Sequence, residues 1–148
     1  MQLTESIRAI LKKKEGLVCA VSPSASVYTA IAMMAEKQVG ALVVLHDDRI
    51  VGIISERDYA RKVFLKGRSS KETLVSEIMS SPVIVVSPEH TVVECMKIIT
   101  EHRIRHLPVL EQERLVGVIS IGDLVNWILA EQSETIRHLE AYISGTPS

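Results

Sequence analysis

Two serine–acid pairs carry most of the chemistry this chain offers. Ser55-Glu56-Arg57-Asp58 and Ser120-Ile121-Gly122-Asp123 share the spacing Ser-x-x-Asp, each directly after an apolar, β-rich run. Serine followed three residues later by an acid is the signature of a capping box at a helix start. The same geometry also suits a ligand. A helix N-terminus offers free N–H groups and partial positive charge to an anion beside the Ser hydroxyl. A carboxylate one turn in can accept hydrogen bonds from a ribose diol. The two uses are compatible: the Asp caps when the site is empty and binds sugar when it is filled.

A second cluster is His102-Arg103-Ile104-Arg105-His106-Leu107-Pro108-Val109. His102 and Arg103 suit a helix C-terminus, where cations meet the negative end of the dipole. Arg105 and His106 stand past the helix, at a strand entrance, and are candidates for a ligand's phosphate because Arg forks match phosphate oxygens.

Other chemistries find no support. Neither G-x-G-x-x-G nor a P-loop occurs. The five His are scattered, without Cys or carboxylates at zinc-ligand spacing, so no metal is expected. No Ser, His and acid recur in an arrangement that suggests a nucleophile, and the chain does not read as an enzyme. Lys12-Lys13-Lys14 reads as the solvated end of a helix. Gly52 and Gly117 lie in strand patterns and mark a bulge or a close backbone approach.

These residues sit at matching places because the chain repeats itself. Residues 21–60 align without a gap on residues 86–125, 65 positions later, with 14 identities in 40. Two copies of one supersecondary unit are expected to bury their shared apolar face against each other. In this alignment Arg105 and His106 fall on Gly40 and Ala41, so the two half-sites are not chemically equal.

Each copy reads as strand, helix, strand, turn, strand, helix. In the first, Val18–Val21 is a strand and Ser26 caps a helix to about Lys37 that buries Val27, Ala30, Ile31 and Met34. Ala41–Leu45 and Ile50–Ile54 form a hairpin around His46-Asp47-Asp48-Arg49. A helix then begins near Ser55 and ends before Lys66. In the second copy the strand is Val83–Val86, and Thr91 with Glu94 signals a capping box. The hairpin Leu107–Leu110 and Leu115–Ile119 follows, then a helix from Ile121 through Trp127, Leu129, Ile136 and Leu139 to Tyr142. The expected organisation is an N-terminal helix in 1–15, repeats in 16–66 and 81–130, a connector in 67–80 and a helical extension in 131–148. The helix Thr4–Lys14 and the extension lie outside the repeats and are expected to pack on the module's edge or on another subunit. Thr73–Met79 in the connector is expected to be ordered.

Composition narrows the class. Apolar residues make up 47% and charged residues 24%, as in a soluble globular protein. A net charge of −1 and 3% aromatics argue against nucleic acid as partner. No run approaches the roughly 18 apolar residues of a membrane span, and the N-terminus lacks a signal sequence, so a cytoplasmic location is expected. Cys19 and Cys95 read as thiols in a reducing compartment.

The paired Ser-x-x-Asp junctions, the VGIIS and VGVIS strands and the RHLPVL segment together resemble a tandem pair of cystathionine-β-synthase (CBS) domains over residues 16–130. The likeness is to a stand-alone pair, with no enzyme or transporter domain attached. It implies a mixed α/β (α+β) fold of two β-α-β-β-α units packed sheet to sheet with pseudo-twofold symmetry. It also implies two clefts for adenosine-containing ligands, whether AMP, ADP, ATP, S-adenosylmethionine or NAD. By that likeness the Asp holds the ribose, the Ser meets the phosphate, and first-strand backbone reads the adenine. One cleft would use Ser120 and Asp123 with Val18, Cys19, Gly40 and Ala41, bordered by His106. The other would use Ser55 and Asp58 with Val83, Ile84 and Arg105. A homodimer and an unidentified regulated protein are the implied partners. The competing reading is a structural dimerisation scaffold in which Asp58 and Asp123 only cap helices.

Overall fold

The computed structural model describes residues 5–14 and 18–144. In chain order the first elements are α1 (Arg8–Lys13), β1 (Ala20–Val21), α2 (Val27–Lys37), β2 (Ala41–His46), β3 (Arg49–Ser55) and α3 (Glu56–Tyr59). A π-helical turn (Ala60–Phe64) extends α3, and α4 (Val75–Ile78), α5 (Val92–His102), β4 (His106–Glu111), β5 (Arg114–Ser120) and α6 (Ile121–Ser144) follow. The chain divides into two compact units, one of Leu17–Ile84 and one made up of Met1–Gly16 together with Val85–Ser148. Thr4, the expected start of the first helix, lies outside the described residues, as do the side chains of Ile136 and Tyr142.

In the first unit β1 runs parallel to β2, and β2 pairs antiparallel with β3. The Ser26 hydroxyl accepts the Thr29 N–H at 3.1 Å and starts α2. Gln38 closes the helix in the left-handed region, and the Val39 N–H reaches back to the Met34 carbonyl at 3.0 Å. Val27, Ala30 and Met34 line the buried face of α2 and pack with Leu42, Val44, Ile54 and Val63. The connector completes this core with Val75 and Ile78. It is held there by the Val27 N–H on the Thr73 carbonyl and the Val75 N–H on the Ala25 carbonyl, both 2.8 Å.

Both hairpins turn on two residues of positive φ, Asp47-Asp48 and Gln112-Glu113, as a type I′ turn requires. Both carry a bulge at the glycine: register shifts after Val44, which pairs Gly52, and after Val109, which pairs Gly117. The helix after Ser55 departs from expectation. It makes one α turn and then widens, with the Leu65 N–H on the Ala60 carbonyl and the Arg68 N–H on the Val63 carbonyl, each at 3.0 Å.

In the second unit β4 and β5 form a two-stranded sheet flanked by α5 and α6. Thr91 and Glu94 close the expected capping box on α5, whose buried residues are Val92, Cys95 and Ile99. The expected strand Val83–Val86 shrinks to one parallel bridge, Val86 with Val109. The reason is a proline. In the first unit the Val43 N–H donates to the Cys19 carbonyl, but its counterpart in the repeat is Pro108, which has no N–H to give.

The N-terminal helix completes this second unit. Ile7 and Ile10 are buried, the Ile7 N–H donates to the His90 carbonyl at 2.8 Å, and the Val92 N–H donates to the Glu5 carbonyl at 3.0 Å. The Arg8 guanidinium bonds both Glu89 and Glu111. Each repeat is therefore finished by the segment that precedes the other repeat in sequence. At the far end, α6 carries Leu129, Leu139 and Ile143 exposed.

Candidate ligand-binding site

The first junction is built where β3 hands over to α3. Ser55 pairs with Ala41 across the sheet, and the Glu56 N–H donates to the Gly40 carbonyl at 3.0 Å, so strand entrance and helix start are tied together. The Asp58 N–H donates to the Ser55 hydroxyl at 3.2 Å, while the Ser55 N–H donates to Asp58 Oδ2 at 3.0 Å. The Ser55 hydroxyl adds a second bond to Oδ2 at 3.1 Å. The other oxygen, Oδ1, meets the Lys62 ammonium at 3.1 Å and the Ser80 hydroxyl at 3.5 Å. Lys62 also donates to the Ile78 carbonyl at 2.8 Å. Both oxygens of this mostly buried carboxylate are therefore engaged.

The second junction repeats the cap with different company. The Ile121 N–H donates to the Arg105 carbonyl at 2.9 Å, and His106 pairs with Ser120. The Asp123 N–H donates to the Ser120 hydroxyl at 3.1 Å, and the Ser120 N–H donates to Asp123 Oδ2 at 2.8 Å. The cation here is Lys14, from the end of α1, whose ammonium lies 2.7 Å from Asp123 Oδ2 and 2.7 Å from the Val118 carbonyl oxygen. Burial pushes the His106 imidazole below its ordinary range; the Lys14 and Arg105 charges push the same way and Asp123 opposes them. His106 thus enters the site as a neutral ring.

The structure gathers Ser120, Asp123, Arg105 and His106 in one unit and Ser55, Asp58, Gly40 and Ala41 in the other. Val83 and Ile84 end that first unit half-buried, and Val18 and Cys19 lead into β1, where the Cys19 carbonyl accepts from Val43. Three polar partners were not legible as site residues: Lys14, Lys62 and Ser80. For Lys14 the expectation needs correcting. The Lys12–Lys14 run is not simply a solvated helix end, because Lys13 lies 4.7 Å above the Trp127 ring and Lys14 caps the Asp123 carboxylate. The signal available was weak, since an acid 109 residues away gives no local pattern.

Chemically, each junction offers a fixed carboxylate, a helix N-terminus and an ammonium, which together suit a polyhydroxylated anion. Among the described residues no group of His, Cys, Asp and Glu is placed to hold a metal ion. Burial pushes the Cys95 thiol up to about 11, so it is protonated at neutral pH and unsuited to nucleophilic work. No described helix is long and apolar enough to cross a membrane.

The CBS-domain family model matches residues 18–64 and 75–130, which include both Ser-x-x-Asp boxes. The chain is 43% identical over 125 residues to the CBS domain-containing protein CBSX3, mitochondrial, of Arabidopsis thaliana, covering 81% of this chain and 61% of that one. A protein with CBS domains from Burkholderia ambifaria has a solved structure that superposes with TM-score 0.82 at 50% identity, covering 86% and 96% of the two chains. The CBS domain pair of protein MJ0100, solved with 5′-methylthioadenosine and S-adenosylmethionine, superposes at TM-score 0.76 and 20% identity, covering 85% and 97%.

Proposed function

The chain belongs to the CBS-domain family, with the mixed α/β fold of a tandem CBS pair, and we propose that its two Ser-x-x-Asp junctions bind adenosine-containing ligands as a regulatory signal. The ligands are AMP, ADP, ATP, NAD or S-adenosylmethionine. One observation carries the reading: in both units a partly buried Asp is fixed at a helix start, backed by its cap and faced by an ammonium. Asp58 and Asp123 grip the ribose hydroxyls, and Ser55 and Ser120 meet the phosphate with the helix N-terminal N–H groups. Backbone at Val18–Cys19 and Val83–Ile84 reads the adenine, with Gly40, Ala41, Arg105 and His106 bordering the ligand. Aliphatic walls with a few polar groups suit such a ligand. The adenosyl ligands of MJ0100 support the choice of chemistry, and the Burkholderia neighbour is described as a candidate signal-transduction protein.

The output is regulatory rather than catalytic. A ligand that prefers one arrangement of the chain shifts the population toward it by the difference in its two affinities. A second copy of the chain and a regulated protein are the proposed readers, and the exposed apolar residues Ile121, Val125 and Leu129 on α6 offer a surface for the former. The proposed location is cytoplasmic, which fractionation of the source cells checks against the mitochondrial placement of the Arabidopsis relative.

One observation favours a scaffold without ligand: both capping boxes are complete as they stand. Native mass spectrometry of the purified protein, followed by thermal-shift assays with each adenosine ligand, separates the two. A co-purifying adenosyl mass, or a rise in melting temperature with one of the five, supports sensing. Bare protein whose melting temperature none of them moves supports the scaffold.

A further inference from the structure

The two junctions share a cap but differ in the origin of the cation. Lys62 reaches Asp58 from four residues on, in the same helical segment. Lys14 reaches Asp123 from a helix outside the repeat, held in place by buried Ile7 and Ile10 and by the Arg8 bonds to Glu89 and Glu111. The acids differ too. Asp58 has partners on both oxygens, whereas Asp123 uses Oδ2 for Ser120 and Lys14 and leaves Oδ1 without a hydrogen bond among the described residues. The Lys14 ammonium has three donors, and Asp123 and the Val118 carbonyl take two of them.

We infer that Lys14 is the specificity-determining residue of the 120–123 site, selecting adenosine ligands that carry a phosphate over the neutral nucleoside. This inference rests on the adenosine reading proposed above. Asp123 Oδ1 takes a ribose hydroxyl without dislodging the lysine, and the third ammonium N–H is left for a phosphate oxygen beside the α6 N-terminus. Charge supports the same choice. Asp123 alone would offset Arg105, and Lys14 tips the neighbourhood toward anions. At Asp58 the lysine only balances the acid, and Gly40 and Ala41 add no charge.

Calorimetry of the full chain with adenosine and with AMP tests this in the unchanged protein, Lys14→Met and Lys14→Arg. Among the described residues the Lys14 ammonium bonds Asp123 and the adjoining Val118 carbonyl, so a change it causes reports the 120–123 site. The unchanged protein should prefer AMP over adenosine by on the order of tenfold, the size of one hydrogen bond to a charged group. Lys14→Met should weaken AMP more than adenosine, until the two ligands bind within about twofold, and Lys14→Arg should keep the preference. An AMP-to-adenosine ratio unmoved by Lys14→Met, or lost in Lys14→Arg, overturns the inference while the adenosine reading stands. So does a gain in both affinities in Lys14→Met, which would make the lysine a plug. Binding of neither ligand to the unchanged protein overturns this inference, and the adenosine reading is then decided by the titrations with ATP, NAD and S-adenosylmethionine.

Discussion

Leu11 rests on Gly117 so closely that a Cβ at residue 117 would stand 2.7 Å from Leu11 Cδ2. In the other unit Met79 lies on Gly52 in the same way, with Sδ, Cγ and Cβ at 2.5, 2.8 and 3.2 Å from such an atom. Each glycine lets the segment that precedes the other repeat seat against a bulged strand. Gly52→Ala is expected to destabilise by about 1–3 kcal/mol, because the Met79 stem as well as its tip must move. Gly117→Ala should cost less, since the overlap is with the tip of a leucine that can rotate. Urea unfolding of the two variants checks the order.

Docking of α1 has its own reporter. Trp127 is the single tryptophan of the chain and lies under the Lys13 ammonium at 4.7 Å. Ile7→Ala opens a cavity where α1 is anchored and should cost about 2–4 kcal/mol. Trp127 emission should shift with it as the lysine loses its position, whereas an unchanged spectrum would mean that α1 is held by something other than Ile7.

The start of α2 depends on one side chain. The Ser26 hydroxyl accepts the Thr29 N–H, with no reciprocal acid three residues on. Ser26→Ala should lower stability by about 1 kcal/mol, and Ser26→Asp should restore it. Equilibrium denaturation of the pair measures both.

Acid sensitivity follows from His106. Burial, the Lys14 charge on α1 and the neighbouring Arg105 charge all favour its neutral form in the fold, against the Asp123 charge on α6. The unfolded chain therefore binds this proton more readily. Stability is full above the unfolded value of 6.5, falls as pH drops through it, and levels off once pH passes the lower folded value. His106→Gln should flatten stability across that window in a pH series of melting curves.

What the sequence disclosed follows the reach of each interaction. Both capping boxes were legible because Ser55 with Asp58, and Ser120 with Asp123, bond three residues apart. The hairpins were legible from apolar runs flanking short polar turns. Lys14 was hidden because its acid lies 109 residues away and its helix belongs to no repeat. The widened turn at Ala60–Phe64 left no mark in a pattern that reads equally well as an α-helix. Val83–Val86 looked like Val18–Val21 yet forms one bridge, because strand pairing depends on the neighbour, and the neighbour is Pro108.

Ligand sensing stands or falls on Asp58 and Asp123 gripping a ribose. Calorimetric titration of nucleotide-free protein with AMP, ATP, NAD and S-adenosylmethionine tests this most directly, alongside Asp58→Ala and Asp123→Ala shown by circular dichroism to be folded. At least one ligand should bind the unchanged protein, and one of the two substitutions should abolish the heat. Binding that survives both substitutions, or no heat with any of the four ligands, would contradict it.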